Sequence, residues 1–126
     1  MYSVLGRLLL IFTILCSSCE GREDHYSQII LKADKIQIKK NENFDTTITV
    51  STSLLNSFTD IFKNYEGNCS CEVKDEIIFL KGGAEIFKVG ITKQTKECAF
   101  LIVSEGNKRR CYRLNYRIGM MMSELN

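Results

Sequence analysis

Six cysteines and a single histidine are the side chains of this 126-residue chain best suited to covalent or metal chemistry, and their spacing divides them. Cys16 and Cys19 close an apolar N-terminal run, Cys69, Cys71, Cys98 and Cys111 lie in the body of the sequence, and His25 stands apart from both groups. A nucleophilic serine or cysteine needs a base held rigidly within hydrogen-bond reach. The histidine falls in a charged stretch, Glu20–His25 (EGREDH), that reads as a tether, so no Ser/His or Cys/His system is expected. A Cys-x-Cys followed at long intervals by two single cysteines is not a standard zinc spacing. The adjacent carboxylates Asp75/Glu76 and Glu23/Asp24 make a poor acid–base pair, because successive strand residues point to opposite faces. Gly82-Gly83 opens no helix and is followed by no Gly-Lys-Ser/Thr, so it reads as a turn and not a phosphate loop. The expectation is a protein with no catalytic residues, no cofactor and no metal.

The four body cysteines are then structural. In an exported chain of this size an even count is a disulfide framework with three connectivities, free thiols and a metal site being the alternatives. One charge cluster has shape: Lys108-Arg109-Arg110, followed by Arg113, Asn115 and Arg117 at alternate positions. On a strand the last three form a row, and the neighbouring strand would add Phe100 and Ile102 to the same side. Such a mixed face suits a protein partner or, in a homodimer, a second copy of the chain. The plainer reading is a solvated outer sheet face. A net charge of +2 argues against nucleic acid, which needs a strongly basic face. Asn68-Cys69-Ser70 matches a glycosylation sequon, which has meaning only in a eukaryotic source.

Hydrophobic periodicity supplies the elements that must hold these groups. Ile36 and Ile38 alternate with Gln37 and Lys39, and Phe44, Ile48 and Val50 with Asp45, Thr47 and Thr49; with Asn41–Asn43 between them, the two runs predict a hairpin. Leu55, Phe58, Ile61, Phe62 and Tyr65 recur at helical spacing behind Ser51 or Thr52 as cap, which predicts a core helix over 52–65 ended by Gly67-Asn68. From Cys71 onward the pattern is a meander of strands over 72–80, 85–92, 98–104 and 110–120, joined at Lys81–Ala84, Gln94–Lys96 and Glu105–Lys108. Pairing about Gly106-Asn107 sets Leu101 opposite Tyr112 and Ala99 opposite Leu114. The fold class is therefore α+β: one antiparallel sheet, an N-terminal hairpin plus a four-stranded C-terminal meander, with one amphipathic helix packed across one face. In that register Cys69, Cys71 and Cys98 gather at one end of the sheet and Cys111 begins its strand at the other. A bond from Cys98 to Cys69 or Cys71 is expected, with Cys111 beyond the roughly 7 Å reach of a disulfide.

The N-terminus gives an address. Arg7 is a positive n-region, Leu8–Leu15 an apolar h-region and Cys16–Cys19 a small-residue cleavage zone, too short and wrongly flanked for a membrane span. Ser17-Ser18-Cys19 resembles the lipobox of bacterial lipoproteins, although Cys16 stands where the family prefers leucine. The resemblance implies cleavage after Ser18 and lipid on Cys19; ordinary secretion of a soluble protein is the alternative. It gives residues 1–18 as signal peptide, 19–26 as lipid-anchored tether and 27–126 as a single domain. Removing 1–18 takes away Arg7 as the only charged residue and leaves a net charge of about +1. As a whole the chain resembles the small exported lipoproteins of Gram-negative bacteria. That implies a membrane-anchored, non-enzymatic binding or interaction module of the cell envelope with a protein partner. An inhibitor or immunity-type protein acting on an enzyme of the same compartment is the rival.

Overall fold

The computed structural model describes residues 21–40 and 44–124; the leader and Cys19 lie outside them. In chain order the elements are α1 (Arg22–Ile30), β1 (Lys35–Lys40), β2 (Phe44–Thr49), α2 (Thr52–Ile61), β3 (Tyr65–Gly67), β4 (Val73–Lys81), β5 (Ala84–Thr92), β6 (Phe100–Glu105), β7 (Lys108–Arg113) and α3 (Tyr116–Glu124). The strands form one antiparallel sheet in the order β2-β1-β4-β5-β6-β7-β3. Alternation decides its faces. Ile36 and Ile38 are fully buried while Lys35 and Lys39 face water, the period of two a half-buried strand imposes. Gly82 and Gly83 both take positive φ, 57° and 84°, which closes the β4–β5 hairpin in two residues. Leu101 pairs with Tyr112, and the Leu114 amide donates to the Ala99 carbonyl, as the turn at Gly106-Asn107 predicts.

The class is the one expected, α+β on an antiparallel sheet, but three helices and not one cover the inner face. Helix α2 starts where expected: the Ser51 hydroxyl accepts from the Leu54 amide. Its Leu55, Phe58 and Ile61 enter the core, with Phe58 edge-on to Phe79 at 5.1 Å. It ends at Ile61, and Tyr65 belongs instead to the short edge strand β3, opposite Tyr112. Helix α1 takes up much of the stretch expected to be tether. Tyr26 is 5% exposed and Ile30 fully buried, so α1 is part of the folded body. The last expected strand stops at Arg113. Asn115 Oδ1 accepts from the Ile118 amide at 3.0 Å, caps α3 and turns Ile118 and Met122 inward on helical spacing. The buried Lys40 Nζ donates to the Met122 carbonyl, which ties β1 to α3.

The cysteines follow a route the expected register did not contain. Because β3 lies at the β7 edge while β4 lies beyond β5, the chain between them must cross the outer face of β7, β6 and β5. Residues 68–72 make that crossing as a strap. Cys71 bonds Cys98, one of the two pairings expected; Cys111, expected to stand outside any bond, is joined to Cys69. Cys111 does pair with Ile102 as the hairpin register requires. The error lay in placing Cys69 at the start of a strand, when it lies over the sheet with its Cα 6.1 Å from that of Cys111. Where the strap enters β4, Gly90 leaves it room, since a Cβ there would stand 3.0 Å from Val73 Cγ1.

Candidate functional site

The strap also removes the surface expected to bind a partner. Phe100 and Ile102 are not exposed beside a row of arginines. They are buried in a second small core with Cys71 and Cys111, against Cys69, Cys98 and Val73. Arg113 remains exposed at the end of β7, where its Nε donates to Glu66 and its guanidinium lies 5.1 Å from the Phe100 ring centroid. Asn115 and Arg117 no longer share its face. Asn115 donates to the Ser57 carbonyl, and Arg117 Nη1 donates to the Ser53 carbonyl and to the hydroxyls of Ser53 and Ser57. These two hold α3 against α2. The physical reason is the early end of β7: past Arg113 the side chains project with a helical period.

The other half of the basic cluster makes a concavity. At the tip of the β6–β7 hairpin an open hollow of about 590 Å³ is bounded by Glu105, Asn107, Lys108, Arg109 and Arg110. Tyr65 of β3, Asn68 of the strap and Arg22 at the start of α1 complete it. Two of its cations are already engaged with carboxylates. Arg22 lies 3.8 Å from Glu105, and Arg110 Nη2 lies 2.7 Å from Glu23. Arg109 Nη1 donates to the Cys71 carbonyl, a neutral partner, and among the described residues no carboxylate pairs with it. Lys108 is exposed and, among the described residues, has no carboxylate in ion-pair range. Among the described residues the tip therefore carries surplus positive charge at the start of β7, beside the two-residue turn at 106–107.

Behind the hollow a polar network fixes its wall. Glu23 accepts from Arg110 and from the Tyr112 hydroxyl, Arg110 Nε also donates to that hydroxyl, and the Arg110 guanidinium stacks 4.2 Å over the Tyr65 ring. Burial alone would raise the Glu23 carboxyl pKa; the hydrogen bonds from Arg110 and Tyr112 outweigh it and hold it below the usual carboxylate range. Burial, together with the acceptor Glu23, pushes the Tyr112 phenol up to about 12. Arg110 is held firmly charged. Glu105 accepts from the Tyr26 hydroxyl, so it and Glu23 are both bound within the fold.

Compared with models of protein families, with curated proteins and with solved structures, the chain finds no match in any of the three. The hollow itself was half visible in the sequence. Lys108-Arg109-Arg110 marks the place, but the sequence pattern puts Arg22 and Glu23 in a tether and Tyr65 in a core helix. The signal that could have recovered α1 is its acidic first turn, Glu23-Asp24, which favours a helix N-terminus. Among the described residues no helix is long and apolar enough to cross a membrane.

Proposed function

We propose that the mature protein is a non-enzymatic binding module of the bacterial cell envelope, anchored by lipid on Cys19, which receives acidic groups in the hollow at the β6–β7 tip. The observation that carries this reading is the pair Lys108 and Arg109, two cations that among the described residues have no carboxylate partner, on the rim of a concavity. Partial burial, as at Arg109, strengthens attraction to an anion over what the same charge does in open water. Two disulfides in a chain of this size are compatible with export to an oxidising compartment. The two-residue turns at 82–83 and 106–107 supply no protruding plug, which weighs against an inhibitor that blocks an active site.

The test has two arms. Metabolic labelling with a palmitate analogue should mark the wild type and not Cys19→Ala; equal labelling of both, or a wholly soluble wild type, removes the anchor. Retention of the purified protein on immobilised acidic peptide should fall in Lys108→Glu/Arg109→Glu. It should not fall in Lys35→Glu/Lys88→Glu, which changes net charge equally at exposed sites elsewhere. Equal loss in both double variants would leave only the overall charge, and the hollow would have no special part.

A further inference from the structure

We infer that the group seated in the hollow is the phosphate of anionic phospholipid headgroups, so that the domain lies on its own bilayer with the β6–β7 tip against the membrane. This rests on the lipid anchor proposed above. Its first support is reach. Helix α1 begins at Arg22, only three residues after Cys19, and three residues span at most about 11 Å fully extended. The lipid of an acylated Cys19 enters the bilayer at its polar interface, and Arg22 lines the hollow. The anchor therefore holds the hollow within a headgroup layer or two of the membrane surface. A tether running to residue 26 would have let the domain stand further off; packing of α1 shortens that reach.

Charge is the second support. Among the described residues Lys108 and Arg109 have no carboxylate in ion-pair range, while Glu105 is bound to Arg22 and Tyr26 and Glu23 to Arg110 and Tyr112. Clustered basic residues beside an anionic leaflet are attracted within a Debye length, which is about 8 Å at physiological ionic strength. The rim aromatic is the third. Tyr65 is 49% exposed with its ring under Arg110, and amphipathic tyrosines are enriched where membrane meets water. An acidic globular partner would match the same charges, but with so short a reach it would have to fit between the hollow and the bilayer.

The chain has no tryptophan, so Ser104→Trp places a single reporter on β6, opposite Arg109 in register. The acylated mature protein carrying it is reconstituted into vesicles of phosphatidylcholine alone or of phosphatidylcholine with phosphatidylglycerol. The expected result is a blue-shifted emission, quenched by brominated phosphatidylglycerol, in the anionic vesicles only. Raising the salt to a level that screens the surface, or adding Lys108→Glu/Arg109→Glu, should abolish the shift. The salt arm uses a protein without those substitutions and stands even if the double variant folds poorly. Identical emission in both vesicles, or a shift that survives salt and charge reversal, overturns the inference. So does the same shift produced by millimolar inorganic phosphate in neutral vesicles, which would make the ligand a free anion. Intact mass of protein taken from envelopes reads acylation separately: an acylated protein with a silent reporter sinks this inference alone, and an unacylated one sinks the anchor with it.

Discussion

Phe58 is fully buried, edge-on to Phe79, at the centre of the helical layer. Phe58→Ala should cost about 3–5 kcal/mol, the range for a truncated buried aromatic; chemical denaturation measures it, and a loss below about 1 kcal/mol would be a surface value. Glu23 tests the network in a different way. Its carboxyl is held below the ordinary range in the folded state, so the folded protein binds fewer protons than the unfolded chain as pH falls. Its stabilising part is complete above the unfolded pKa and is lost as pH drops through the folded one. Glu23→Gln should therefore be less stable at neutral pH and should show a flatter acid limb in denaturation midpoints. Tyr112 acts with the opposite sign. Its phenol is raised to about 12, so stability should decline as pH climbs from the unfolded value near 10 toward 12. Tyr112→Phe should remove that alkaline slope.

Among the elements, β1, β2, α2 and the β4–β7 meander were legible because each shows a clean period over several residues and most are bounded by Gly or Asn turns. The helices at either end were not. In α1 the buried residues are Tyr26 and Ile30 alone, two points on one face among charged and polar neighbours, and Gly21 offers no side-chain cap. In α3, Ile118 continues the alternation of Tyr112, Leu114 and Tyr116, so a strand reading and a helix reading fit the same letters. Only the cap at Asn115 separates them. The basic tip of the site was legible as charge, while its shape depends on α1 and β3 and was not. Because α1 is held by few apolar residues, Tyr26→Ala should release it selectively. Amide exchange of residues 22–30 should rise to that of an open segment while the β4 and β5 amides stay protected. Loss of protection throughout would show α1 to be inseparable from the sheet.

At the scale of the molecule, one sheet is covered on its inner face by three helices and on part of its outer face by five residues fastened at two points. The strap has few apolar contacts of its own, so the bridges must hold it. Cys69→Ser/Cys111→Ser should cost roughly 2–4 kcal/mol in denaturation, as expected for closing a loop of this length. Non-reducing peptide mapping should return Cys69 linked to Cys111 and Cys71 linked to Cys98. A Cys69–Cys98 peptide would mean the strap runs in another register.

The two bridges are nested, the outer one joining the first and the last of the four body cysteines in the sequence. A chain threaded N-terminus first into an oxidising compartment presents Cys69 long before Cys111 arrives. The outer bond therefore closes last, when β7 has come into place and Arg110 with it, and with them the docking site of α1. Until that moment Cys69 has no native partner. A chain cut short anywhere before residue 111 lacks the native partner of Cys69 and the strand on which the N-terminal helix docks. An open thiol at position 69 is a chemical mark of an unfinished molecule, readable by any thiol-reactive reagent.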